Sequence, residues 1–358
     1  MSDREATDRR WLEAAARLAT PAMGTTGPAP VVGAIIADPE HNLMFGRAVT
    51  PPRGVDRAEL LAIEDTQGTA RGRTLYITLE PGRSSALQIA EAGISRVVVG
   101  ALDPDPTNRE EGVKGLRERD IEVAVIEDTS ARRLIEGYAM RLTKNRPLVT
   151  MKVTVSRDGM VGNTQPGGPP PIGVEAQRFI DRERAASDAV LAGAARAEVE
   201  ENDLRPHLPG LDDRVPLRVV LSGKRPPDQT IPLFSDMEGG PLIVFTAPEH
   251  PLQMRGGINI VEVDGRRGHP DLRRVAALLA AGGINRLFVE AGARLAESFI
   301  SAELIDRLYV IDSAITVGRF GVPAALLGRF HERIAAAKYV EVDRLMLGED
   351  NVRVYERH

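Results

Sequence analysis

The strand-like run Arg286-Leu287-Phe288-Val289-Glu290 ends on a carboxylate and passes through Ala291-Gly292-Ala293 into an amphipathic stretch that opens with Arg294-Leu295. Small residues at such a turn let backbone N–H groups approach a phosphate, and the N-terminus of the following helix adds positive potential. The same residues also make a plain strand-to-helix turn with no ligand, and both readings stand at this point. No G-x-G-x-x-G occurs, so a Rossmann dinucleotide fingerprint has little support. The 358 residues include no cysteine, which excludes disulfides, thiolate nucleophiles, iron–sulfur clusters and any zinc site that needs a Cys ligand. Histidines at 41, 207, 250, 269, 331 and 358 show no metal-ligand spacing, so a structural metal is not expected.

The elements that must position such groups alternate between short β-rich runs and Ala-rich amphipathic stretches, the pattern of helices covering a largely parallel sheet. In the first half, strands are expected at 31–36, 74–79, 96–100 and 122–126, with helices near 9–19, 57–66, 84–92, 109–119 and 130–142. Lys144-Asn145-Arg146-Pro147 then breaks the pattern before an apolar strand over 148–155, which divides the chain into domains 1–145 and 146–358. In the second half, strands are expected at 217–221, 242–245, 259–263, 286–290, 307–312, 339–345 and 351–355, with helices near 174–186, 272–281 and 294–302. Lys and Arg number 46 against 51 Asp and Glu, a net charge of −5 that gives no reason to expect a nucleic-acid partner. No apolar run approaches the roughly 18 to 20 residues of a membrane span, and no leader pattern opens the chain, so a cytoplasmic protein is expected.

The order Gly27-Pro28-Ala29-Pro30-Val31-Val32-Gly33-Ala34-Ile35-Ile36, Arg57-Ala58-Glu59, Thr78-Leu79-Glu80-Pro81 and Ala92-Gly93-Ile94-Ser95-Arg96-Val97-Val98 resembles the deaminase half of the bifunctional riboflavin-biosynthesis deaminase-reductase family. The resemblance implies a cytidine-deaminase-like three-layer α/β/α domain. In that family a His-Ala-Glu places a zinc ligand two residues before a proton-shuttling Glu, and two Cys complete the site. Here Arg57 stands at the His position and Gly82 at the first Cys position, and the second Cys is lost with a shortened loop. Bound zinc lowers the pKa of water from about 15.7 to about 7, so roughly 12 kcal/mol of nucleophile activation goes with it. The resemblance with these departures implies lost deaminase activity and no zinc. Glu59 is expected to remain as a carboxylate at a helix N-terminus, paired with an Arg57 that plugs the pocket.

From Arg146 onward the chain resembles the family's reductase half, through Lys152-Val153-Thr154-Val155-Ser156-Arg157-Asp158-Gly159, Arg184-Ala185-Ala186-Ser187-Asp188-Ala189-Val190-Leu191-Ala192-Gly193 and Phe288-Val289-Glu290-Ala291-Gly292-Ala293-Arg294-Leu295. That resemblance implies a dihydrofolate-reductase-like α/β fold and NADPH as cofactor. It assigns Gly193, Glu200, Gly292, Ala293, Arg294 and Leu295 to the cofactor, and Arg184, Leu204 and Glu290 to a pyrimidine-like small-molecule substrate. Arg184 would offer its guanidinium to a ribose phosphate, or else make a salt bridge on its own Arg- and Glu-rich helix. Two departures stand out: Gly168-Pro169-Pro170-Pro171 replaces a substrate-contacting strip, and His207 replaces a substrate-binding Arg. The function implied is that of 5-amino-6-(5-phosphoribosylamino)uracil reductase, in a chain expected to form homodimers. The alternative is a catalytically silent relative that binds a nucleotide or flavin-pathway metabolite as a regulatory or scaffolding subunit.

Overall fold

Runs such as Thr74-Leu75-Tyr76-Ile77 and Arg96-Val97-Val98-Val99 carry apolar side chains at consecutive positions, which suits strands covered on both faces rather than one. A computed structural model describes residues 2–163, 171–200, 202–211, 213–236, 239–254, 258–323 and 339–357. They form two compact units, Met1–Asn145 and Arg146–His358.

The first unit runs α1 (Asp3–Ala19), β1 (Gly33–Asp38), β2 (Leu43–Val49), α2 (Ala58–Asp65), β3 (Thr74–Ile77), α3 (Arg83–Glu91), β4 (Arg96–Val99), α4 (Glu111–Arg117), β5 (Glu122–Val125) and α5 (Thr129–Lys144). Its sheet has the order β2-β1-β3-β4-β5, antiparallel around β1 and parallel from β3 onward. The two-residue period of the strands sorts their side chains between two cores. Ala34, Ile36, Leu75, Ile77, Val97 and Val99 pack with Ala58 and Ala62 of α2, Ala86 and Ile89 of α3 and Leu116 of α4. Ile35, Ala37, Tyr76 and Val98 pack with Leu12 and Ala15 of α1. Helices therefore cover both faces, the layering that the resemblance implies.

The second unit continues with β6 (Leu148–Val155), β7 (Met160–Asn163), α6 (Val174–Ala185), β8 (Ala189–Gly193), α7 (Ala194–Glu200), β9 (Leu217–Leu221), α8 (Pro232–Ser235), β10 (Leu242–Thr246) and β11 (Asn259–Glu262). It ends with β12 (Gly265–Arg266), β13 (His269–Pro270), α9 (Leu272–Ala281), β14 (Arg286–Glu290), α10 (Ala293–Ser301), β15 (Arg307–Asp312), β16 (Gly321–Pro323), β17 (Tyr339–Leu347) and β18 (Asp350–Arg357). Nine strands make one sheet, β11-β10-β9-β8-β14-β6-β15-β18-β17. It is parallel from β11 through β15 and antiparallel over β15, β18 and β17. Alternation again splits the core: Val149, Met151, Leu191 and Val289 face α9 and α10, whereas Val190, Phe288, Tyr309 and Ile311 face α6 and α8. Parallel strands end together, so the carboxyl ends of β8, β9 and β14 lie at one edge, where ligands of open α/β sheets collect.

Candidate active site

At that edge a cavity of about 630 Å³ opens between the end of β8 (Gly193), the end of β9 (Leu221 and Ser222), the β12–β13 hairpin and the first turn of α10 (Arg294 and Leu295). The size is within the range that holds small-molecule and cofactor ligands, about 300 to 1,000 Å³. Gly292 is the N-cap of α10, and no side chain caps the helix there. The first N–H groups of α10, Ala293 included, therefore have no intrahelical partner. Arg294 and Leu295 on this turn line the cavity together with Gly193, so three of the residues that the resemblance assigns to a cofactor surround one opening. Glu200 ends α7, and its side chain lies outside what is described.

Deeper in the same edge, Glu290, the last residue of β14, is 1% exposed and is aligned with Lys152 of β6 on one side and Ala192 of β8 on the other. Arg184 Nε donates to Glu290 Oε1 at 2.6 Å, and Lys152 Nζ lies 3.3 Å from Glu290 Oε2. Burial alone would push the Glu290 carboxyl up, but the Arg184 and Lys152 charges more than reverse this and hold it well below the usual carboxylate range. Asn202 joins the group from the loop after α7: its Nδ2 donates to Glu290 Oε2 at 3.2 Å, and its Oδ1 accepts from Arg184 Nη2 at 3.1 Å and from the Leu204 N–H at 2.9 Å. Leu204 is fully buried with φ at 62°, a conformation uncommon for a non-glycine residue. The structure thus brings Arg184, Leu204 and Glu290 together around one asparagine. The remaining donor, Arg184 Nη1, reaches Asp181 Oδ1 and the Arg205 carbonyl, so protein acceptors engage the guanidinium on every nitrogen. His207 is exposed and 2.9 Å from Asp203. The proline-rich strip lies outside the described residues except for Pro171.

The first unit holds a second polar cluster at the position of the implied metal. Glu59, in the first turn of α2, is 4% exposed and accepts from Ser85 Oγ at 2.6 Å, and Ser85 in turn accepts from Arg57 Nη1 at 3.1 Å. The expected direct pairing of Arg57 with Glu59 is thereby corrected: the hydroxyl of Ser85, from α3, stands between them. A Cβ built on Gly82 would lie 2.2 Å from Arg57 Nη1, so the guanidinium fills the space into which a side chain at 82 would project. Gly82→Ala must swing Arg57 away from Ser85, and we expect a loss of about 1 kcal/mol that disappears in an Arg57→Ala background, read by a denaturant double-mutant cycle.

The family described as RibD C-terminal domain matches residues 147–344, more than half of the chain. The chain belongs to the RibD family. A second family, described as the cytidine and deoxycytidylate deaminase zinc-binding region, matches residues 5–101. The riboflavin biosynthesis protein RibD of Aquifex aeolicus is 29% identical over 365 residues, covering 98% of this chain and 99% of the relative. Two solved structures share the fold over 99% of this chain. One is RibD of Acinetobacter baumannii, form 2 (25% identity, TM-score 0.83, all of that chain covered). The other is a Thermotoga maritima diaminohydroxyphosphoribosylaminopyrimidine deaminase/5-amino-6-(5-phosphoribosylamino)uracil reductase (23% identity, TM-score 0.84, all of that chain covered). The chain is thus a riboflavin-pathway deaminase/reductase homologue, and a RibD reductase domain implies a nicotinamide cofactor.

The two halves fit their implied groups differently. An uncapped helix N-terminus, small residues and basic side chains around one cavity suit a dinucleotide. The residues at 57 and 82 do not suit zinc: a guanidinium cannot ligate it, and glycine offers no side chain. Sequence reasoning gave no role to Lys152, Asn202 or the basic residues of the β12–β13 hairpin. Arg266-Arg267-Gly268 between two short strands was the local signal for the last of these.

Proposed function

We propose that this RibD-family chain is an NADPH-dependent reductase of 5-amino-6-(5-phosphoribosylamino)uracil whose deaminase half no longer deaminates and takes no zinc. The observation that carries this reading is the Arg57 guanidinium beside Gly82, which leaves Glu59 hydrogen-bonded to Ser85 in a cluster with no ligand set for a metal. The reductase half keeps a cavity at the strand ends and an ordered charge network behind it. When bound, NADPH supplies the hydride, and the protein has to orient it and the acceptor while excluding water. The free N–H groups of α10 and Arg294 hold the pyrophosphate in this reading, and Gly193 leaves the floor of the cavity open to it. Lys152, held by Glu290, presents an ammonium beside the end of β14, where the pyrimidine would meet it. Calorimetric titration of the purified chain tests the cofactor part. Micromolar NADPH binding is expected, and no heat from either NADPH or NADH would overturn it.

A further inference from the structure

Asn202 is a neutral side chain set among charged ones. Its Oδ1 accepts from the N–H of Leu204, two residues on, which closes an Asx turn, and also from Arg184 Nη2, while its Nδ2 donates to Glu290 Oε2. The amide fits only in this sense, because Oδ1 meets two donors and Nδ2 meets a carboxylate. The backbone N–H of Asn202 is held as well, by the Ala197 carbonyl of α7 at 3.2 Å. Asp203 repeats the turn: its Oδ1 accepts from the Arg205 N–H at 3.0 Å, and the Arg205 carbonyl accepts from Arg184 Nη1 at 2.8 Å. Residues 202–205 are thus wound by two successive Asx turns and pinned at both ends to one guanidinium. Leu204 sits between the pins at φ 62°, a conformation that a non-glycine residue keeps only where its surroundings enforce it.

The same amide reaches the charged pair on the other side. Glu290 Oε2 has two donors, Asn202 Nδ2 at 3.2 Å and Lys152 Nζ at 3.3 Å, whereas Oε1 has Arg184 Nε. Without Nδ2, Oε2 turns to Lys152 alone and draws the ammonium toward the carboxylate. Resting on the reductase reading above, we propose that Asn202 is a positioning residue for the reduction: it locks Leu204 in place and, by sharing Glu290 Oε2, fixes where Lys152 holds its ammonium. The charged groups that face Glu290 are Arg184 of α6, Lys152 of β6 and Arg196 of α7, and Asp181 and Asp203 face Arg184 in turn. A carboxylate at 202 would put an oxygen beside Oε2 in place of the Nδ2 donor, setting two like charges against each other.

The test is steady-state NADPH oxidation by the full chain with 5-amino-6-(5-phosphoribosylamino)uracil, from about pH 5 to about pH 9, for the natural protein, Asn202→Ala and Asn202→Asp. A hydrogen bond to a charged group is worth about 10- to 100-fold, so Asn202→Ala, which frees Leu204 and leaves Oε2 to Lys152, should raise the KM for the pyrimidine and lower kcat by about tenfold each. Asn202→Asp keeps the acceptor for Leu204 and Arg184, so that KM should stay within about threefold. Its kcat should nevertheless fall about tenfold, and the acid limb of its pH profile should move up by about one unit, because adjacent carboxyls resist ionising together. The KM for NADPH should stay within about twofold in both variants, which also shows that they are folded, and Asn202→Asp decides by itself if Asn202→Ala does not fold. A kcat and an acid limb in Asn202→Asp that match those of the natural protein overturn the positioning role while leaving the reductase reading intact. A natural protein that oxidises no NADPH with this pyrimidine overturns both.

Discussion

Supplied with zinc and with the aminated pyrimidine in the name of the Thermotoga maritima relative, diaminohydroxyphosphoribosylaminopyrimidine, the protein is expected to release no ammonia above the uncatalysed rate. Deamination of this type needs a hydroxide at neutral pH, and the roughly 12 kcal/mol that zinc contributes to making one has no substitute among these residues. Glu59 is a single carboxylate, already accepting a hydrogen bond from Ser85, and the cation next to that serine is a guanidinium, which stays protonated and cannot bind water as a Lewis acid. Arg57→His/Gly82→Cys would return two ligand types but not the second cysteine, since the chain has none. We therefore expect that variant to gain at most weak zinc binding and no deamination. Ammonia release with metal analysis on the same sample decides the matter: stoichiometric zinc together with turnover by the natural protein would contradict the account.

Glu290→Ala should cost about 3 to 5 kcal/mol of stability, because it strands Arg184 and Lys152 as buried cations without their carboxylate. Glu290→Gln should cost less, since the amide keeps the volume and one acceptor oxygen for Arg184 Nε. Urea titrations of the two variants give the magnitudes, and a loss below about 1 kcal/mol in Glu290→Ala would show that the network does not depend on this charge. The pH dependence follows from the same geometry. The folded carboxyl titrates below its unfolded value, so its contribution is fully present above the ordinary glutamate value of about 4.3 and is lost as pH falls below that toward the depressed folded value. The natural protein should lose stability across this acid window, and the difference between it and Glu290→Gln should shrink there.

The strands that the sequence announced are those with β-branched runs, such as β4 and β15, whose residues are buried on both faces. β8 was not anticipated, because Ala189-Val190-Leu191-Ala192-Gly193 has neither alternation nor β-branched density, and a fully buried parallel strand of small residues looks like a stretch of helix. β2 was missed for a different reason. It is an edge strand with Leu43 and Met44 exposed, and Gly46 interrupts it where α2 packs so closely that a Cβ would lie 2.4 Å from the Ala62 carbonyl oxygen. At the site, the Glu290-to-Leu295 turn was legible because its small residues are contiguous. The charge network was not: Lys152 and Glu290 meet through strand register across more than 100 residues, and Asn202 reads locally as an ordinary loop residue. Arg57 and Gly82 were legible only as departures from a motif. That Ser85 mediates between Arg57 and Glu59 depends on how α2 and α3 pack.

The most direct test of the central claim is NADPH oxidation, followed spectroscopically, with the two pyrimidines offered separately. The account predicts oxidation with 5-amino-6-(5-phosphoribosylamino)uracil and none with diaminohydroxyphosphoribosylaminopyrimidine, because under the proposed function the chain reduces the deaminated compound but does not make it. Oxidation with both, accompanied by ammonia from the second, would show a working deaminase despite Arg57 and contradict the account, and oxidation with neither would remove the reductase reading itself.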